Sequence, residues 1–168
     1  TLSPHRFRHV LGVANLAAGI AMAHGRVDID TFLYAGLLHD CAKYMKYDEM
    51  LLFAKEHEID VTQYLGGMSF QLHAVLGEYI ARTEYGVSDK DILNAIRYHT
   101  VGHLGMSFLE KCIFIADYLE PSRDFPANPT LTQMRKLAFS DVDKTLYYVM
   151  KNKLAHIKSC GSPLDDTT

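Results

Sequence analysis

The chain has 168 residues, 48% of them hydrophobic, and a net charge of −3, which suffices for one domain with a substantial core. No apolar stretch approaches the ~18 uninterrupted residues a membrane-spanning helix needs, no basic-then-apolar leader opens the sequence, and no basic block offers a general nucleic-acid surface. Three cysteines, Cys41, Cys112 and Cys160, form no CxxC and leave an odd count, so reduced thiols in a cytoplasmic protein are expected. The sequence opens on Thr1 rather than methionine, and residues ahead of it are expected to be missing.

The pattern reads as helix after helix. Ser3-Pro4 supplies a cap and a proline for the first helical position. Phe7, Val10, Leu11, Ala14, Ala17, Ala18 and Ala21 then recur at helical spacing until Gly25 ends the element. A second helix is expected from about Asp30 to Ala42 and a third from about Asp48 to His57. Residues 58–70, with Gly66-Gly67, read as a loop, and helical pattern resumes from Gln71 to Tyr85. Ser88 with Asp91 predicts a capping box for a helix to about His99, and Ser107 with Glu110 another for a helix to about Leu119. Pro121, Pro126 and Pro129 mark a loop. Two further helices follow, about Leu131–Phe139 and Asp141–Lys158, the latter capped by Ser140 and ended near Gly161. The expectation is one all-α domain over residues 1–168.

Chemistry concentrates at His39-Asp40, which closes the apolar run Tyr34-Ala35-Gly36-Leu37-Leu38. His9, His73, His99 and Asp117 stand in comparable apolar settings at long range. Imidazole and carboxylate are the mixed nitrogen and oxygen ligands that borderline divalent metals accept. Taken singly, each has a bland reading: a core histidine bonded to a carbonyl, a helix end reaching solvent, or, for Asp117, a buried ion pair. Together they point to a metal, because a carboxylate placed over Ile113 and Phe114 is costly to bury unless a cation neutralises it. Lys43, one turn beyond Asp40, would be repelled by that metal unless an anionic ligand bridges the two, and a phosphate fits. His5, His24, His57 and His156 read as surface residues, and Cys41 as a buried structural thiol.

The set His9, His39-Asp40 and Asp117 on consecutive helices resembles the HD-domain metal-dependent phosphohydrolases. The local wording is similar to one branch, the YqeK family of bacterial symmetrical bis(5′-nucleosyl)-tetraphosphatases. The matching stretches are Ser3 to Val13, Ala35 to Lys43, Leu72-His73, Ala95 to Gly102, Met106 to Lys111 and Ala116 to Pro126. Two departures stand out: the leading segment before Ser3-Pro4 is missing, and His103 occupies a position where the family commonly has arginine.

The resemblance implies an HD-domain bundle of about eight helices around a metal centre, with one or two iron ions, manganese or another divalent metal being alternatives. It implies hydrolysis of diadenosine tetraphosphate to two ADP by a cytoplasmic bacterial enzyme. On this reading His9, His39, Asp40 and Asp117 are the primary ligands, and Asp40 bridges to a second metal or orients the attacking water. His73 and His99 complete a second metal position or hold phosphate oxygens. Lys43 and Arg123 neutralise the polyphosphate, with Arg6, Thr100 and His103 as supporting donors. The partner is a dinucleoside polyphosphate or an ADP- or GDP-like nucleotide, and a homodimer is compatible with the reading. The rivals are another HD phosphohydrolase acting on a nucleoside monophosphate or cyclic nucleotide, a silent nucleotide sensor, and a structural bundle without metal.

Overall fold

The computed structural model describes residues 3–64, 71–122 and 129–159. Among them eight α-helices follow in order: α1 (Pro4–Ala23), α2 (Ile29–Leu38), α3 (Tyr47–Glu56), α4 (Leu72–Thr83), α5 (Lys90–Tyr98), α6 (Phe108–Leu119), α7 (Pro129–Ala138) and α8 (Val142–Ser159), with a 3₁₀ turn at Thr62–Tyr64. No helix is long and apolar enough to cross a membrane among the described residues.

The helix starts follow the capping chemistry of the sequence. Ser3 accepts from Arg6 N at 3.3 Å to open α1, and Ser107 and Glu110 form the reciprocal capping box of α6. Two caps differ from expectation by one residue. Asp89, rather than Ser88, caps α5 by accepting from Asp91 N at 2.8 Å and Ile92 N at 3.4 Å. Asp141, rather than Ser140, accepts from Lys144 N at 2.9 Å at the start of α8, while the Ser140 hydroxyl donates to Leu137 O. In each case a carboxylate one position nearer the helix outcompetes the hydroxyl, as the positive end of the dipole favours.

The largest correction concerns α2, which ends at Leu38 rather than near Ala42. The chain then tightens into i→i−3 turns, with Cys41 N donating to Leu38 O, Lys43 N to Asp40 O and Met45 N to Ala42 O. Those turns carry His39 and Asp40 off the helix end and into the interior. A smaller correction is His24, which is half-buried rather than a surface residue. Its Nε2 meets Ala138 O at 3.1 Å and its ring lies edge-on to Phe108, tying the end of α1 to α7 and α6.

Helix α6 lies at the centre, packed against α1, α2, α5, α7 and α8, and nearly all of it from Leu109 to Leu119 is buried. Around it runs the main core, with Val13, Ala17, Ile20, Phe32, Ile96, Ile113 and Phe114. A smaller cluster of Ala42, Met50, Ala54, Leu72, Leu76 and Ile80 joins α3 to α4. α1 packs most extensively on α2, and small residues make that approach close. A Cβ on Gly36 would lie 2.5 Å from Ala14 Cα and 2.9 Å from Ala14 N, so the two backbones leave no room for a side chain. Gly36→Ala must therefore push α1 and α2 apart. It is expected to cost about 1–3 kcal/mol, the range for overpacking a well-filled core. Urea unfolding checks this, and an unchanged midpoint would show the crossing to be looser than described.

Candidate metal centre

Two histidines enter the site by the same local device. His39 and His99 are the C-caps of α2 and α5, both with helical backbone angles. Each turns its Nδ1 back onto the carbonyl three residues earlier: His39 to Gly36 O at 2.6 Å and His99 to Ile96 O at 2.7 Å. A carbonyl only accepts, so Nδ1 carries the proton in both, and in the neutral ring Nε2 presents its lone pair inward. His9, within α1, is held differently: its Nδ1 faces Glu120 Oε1 at 2.9 Å. His73 comes from the first turn of α4, Asp117 from the buried face of α6, and Asp40 from the turn after α2.

These six residues converge, and all are buried. His9 Nε2 lies 3.3 Å from His39 Nε2 and 3.2 Å from Asp117 Oδ1. His73 Nε2 lies 3.2 Å from His99 Nε2. Asp40 stands between the two groups. Its Oδ2 is 3.5 Å from His39 Nε2 and 3.8 Å from His9 Nε2, while its Oδ1 is 3.2 Å from His73 Nε2 and 3.4 Å from His99 Nε2.

The electrostatics are those of a ligand set. Burial pushes His39 down to about 4, outweighing the pull of the Asp40 and Asp117 charges, and burial likewise lowers His73. Burial opposes ionisation of Asp40, but the histidines around it, His73, His99 and His39, hold its carboxyl well below the usual carboxylate range. Inward-facing imidazole nitrogens beside carboxylates gather acceptor against acceptor in a buried site. A cation among them turns that repulsion into coordination.

The donor spacings fit one. Ligand atoms about 2.1 Å from a common tetrahedral ion lie roughly 3.4 Å apart, and most of these pairs lie 3.2–3.5 Å apart. His9, His39 and Asp117 form one group able to hold an ion, and His39, Asp40 and His99 another. One further buried group lacks a partner among the described residues: Thr100 Oγ1, next to His99.

The charge-neutralising candidates fall in different places. Lys43 Nζ straddles Asp40 at 3.0 and 2.9 Å and remains half-exposed. Arg6 is half-buried one turn before His9. His103 is engaged outside the cluster, with Nδ1 on Leu104 O at 2.7 Å and Nε2 on Glu110 Oε1 at 2.8 Å. Arg123 lies outside the described residues. Cys41, half-buried, donates to Gly77 O at 3.4 Å, and burial pushes its thiol up to about 12, so it is no nucleophile.

Sequence reasoning gave no role to Glu120, although it sits in the quoted Asp117-Tyr118-Leu119-Glu120 stretch. Its side chain is fully buried and accepts from His9 Nδ1 and from Ser122 N and Oγ. Burial alone would raise its carboxyl, but those donors hold it below its ordinary value. A glutamate just before Pro121 reads as a helix end in sequence, and only its pairing with His9, 111 residues away, shows otherwise.

The HD domain family model matches residues 6–122. The symmetrical bis(5′-nucleosyl)-tetraphosphatase of Bacillus subtilis (strain 168) is 38% identical over 97% of this chain and 85% of its own length. Its counterpart from Halalkalibacterium halodurans is 35% identical over 97% of this chain and 84% of its own. The crystal structure of a predicted HD superfamily hydrolase involved in NAD metabolism from Clostridium acetobutylicum has a TM-score of 0.85 at 32% identity, covering 99% of this chain and 86% of that one.

Protein purified without chelator is expected to carry at least one divalent metal equivalent per chain, with Asp117→Ala losing most of it. Elemental analysis decides, and full metal content in that variant removes Asp117 from the ligand set. A second expectation concerns His103. Its bond to Glu110 raises its pKa above 6.5, burial opposing only in part. A raised folded pKa adds stability that is fully present below the unfolded value and lost as pH rises through the folded one. NMR titration should place His103 above 6.5, and Glu110→Gln should bring it down. His103→Ala should shift the urea midpoint more at pH 5.5 than at pH 9.

Proposed function

We propose that this chain, which belongs to the HD-domain family and is homologous over 97% of its length to symmetrical bis(5′-nucleosyl)-tetraphosphatases, hydrolyses diadenosine tetraphosphate to two ADP. The observation that carries the reading is Asp40, whose two oxygens face two groups of inward imidazoles. His9, His39, Asp117 and Oδ2 of Asp40 would hold one metal. His73, His99 and Oδ1 of Asp40 would hold a second metal or phosphate oxygens. Iron is the metal we favour, as the family resemblance implies, with manganese or another divalent metal as the alternative; the set has no cysteine and mixes imidazole with carboxylate, which disfavours a structural zinc site. When bound, such an ion supplies hydroxide near neutral pH and withdraws charge from the phosphoryl group.

The chain's own residues do the rest. Asp40 keeps its proton off and orients the water that attacks an inner phosphorus. The new oxygen stays on that phosphorus, the central bridging P–O bond breaks, and the departing ADP keeps the bridging oxygen. Lys43, half-exposed on the outer side of Asp40, is placed to accept the substrate's negative charge. Arg6 and Thr100 support it, the latter through its unpartnered hydroxyl, and Arg123 and His103 remain sequence-based candidates. A grip on the middle of the tetraphosphate favours symmetrical cleavage. We read residues 1–168 as one domain, with α7 and α8 packed on each other and on α6 beyond the span of the family match.

Chromatography of the products of diadenosine tetraphosphate, with iron supplied anaerobically, tests the reaction. ADP is expected as the sole nucleotide product, whereas equal AMP and ATP would exclude the symmetrical reading. Lys43→Ala is expected to keep its metal and lose turnover by roughly two to three orders of magnitude, the scale of removing one charge-stabilising donor. Wild-type turnover in that variant would make Lys43 a partner of Asp40 only.

A further inference from the structure

We infer that Glu120 is the positioning residue of this centre and that Gly12 is the gap that admits it. The inference rests on the reading of His9 as a metal ligand. Among the three imidazoles whose Nδ1 contacts are described above, His39 and His99 lean on backbone carbonyls, whereas His9 leans on a carboxylate. His9 also differs in origin. It lies within α1 rather than at a helix end, so its own helix offers no free carbonyl to turn its ring.

Glu120 supplies what the helix does not. It fixes the proton on Nδ1 and aims Nε2 at Asp117 and His39. It also makes His9 a stronger electron donor than an imidazole held by a neutral carbonyl, the usual effect of a carboxylate behind a ligating histidine. Glu120 is itself held in place. Ser122 N donates to Oε2 at 2.7 Å and Ser122 Oγ to Oε1 at 2.9 Å.

The position is built as well as occupied. A Cβ on Gly12 would lie 2.5 Å from Glu120 Oε2. A loose carboxylate would swing away from such a methyl at little cost. This one would have to give up its bond from Ser122 N or its bond from His9. Gly12 lies one turn after His9 on α1, so ligand and gap are fixed on one rigid element, while Glu120 and Asp117 sit together at the end of α6. The chain thus sets the relation of two ligands from two helices by one outer hydrogen bond.

The test uses the full chain and cobalt(II), followed by visible absorption and by competition with a chelator. Glu120→Gln and Gly12→Ala are each expected to weaken cobalt binding by roughly tenfold to a hundredfold and to alter the cobalt spectrum, although neither residue is a ligand. Adding Gly12→Ala to Glu120→Ala is expected to change affinity little further, because the carboxylate it displaces is already gone. If Glu120→Ala does not fold, the two single variants decide. Unchanged affinity and spectrum in both, or fully additive losses in the double variant, overturn the inference. Wild-type protein that takes up no cobalt, or binding that survives His9→Ala, overturns the metal reading itself. Binding lost in His9→Ala but untouched in Glu120→Gln overturns the positioning role alone.

Discussion

The structure turns on buried imidazole nitrogens and carboxylates gathered on one another, a set that a cation would satisfy. Nδ1 of His39 and of His99 is committed to a backbone carbonyl and that of His9 to a carboxylate, so their inner nitrogens have no proton to offer while neutral. Those nitrogens face Asp40 and Asp117 across 3.2–3.8 Å in a largely buried site. An arrangement of this kind is unfavourable by several kcal/mol in an apolar medium, roughly. It persists where the surrounding packing over-determines it and where a bound ion repays the desolvation.

Packing supplies that over-determination through small residues. The approach of α1 to α2 at Ala14 and Gly36 brings His9 within reach of His39. The same Gly36 offers the carbonyl that turns the His39 ring, so one glycine sets both the distance and the orientation. Helix α6 contributes Asp117 from a face so buried that its neighbours Ile113, Phe114 and Ala116 are almost without exposure. Its carboxylate side chain, only 11% exposed, meets His9 Nε2 at 3.2 Å.

Much of this was legible in the sequence, for reasons that can be named. Helix spacing and caps are local, and Ser3, Ser107 and Glu110 do what their positions dictate. His39, Asp40 and Asp117 were visible because polar groups in apolar runs demand an explanation. What was not legible is long-range or competitive. Asp89 and Asp141 took caps assigned to neighbouring serines, a contest settled by fractions of a kcal/mol, roughly. The early end of α2 is set by turns that feed His39 and Asp40 inward. The half-burial of His24 depends on Ala138, 114 residues away. Glu120 depends on three separate contacts with α1 and its own loop, none of which leaves a periodic mark.

Asp40 shows why stability and chemistry cannot be separated here. In the protein alone its charge is answered from outside by Lys43 and from within by His73, whose Nε2 lies 3.2 Å from Oδ1. An ion between the imidazoles would compete with both for the same two oxygens. Binding one would weaken the hold of Asp40 on Lys43, whose ammonium stands at the half-exposed rim. Metal affinity, the stability gained by mass action on binding it, and the readiness of Lys43 for substrate are thus three readings of one carboxylate's partners. A change that strengthens the Lys43–Asp40 pair would stabilise the metal-free chain and weaken the other two.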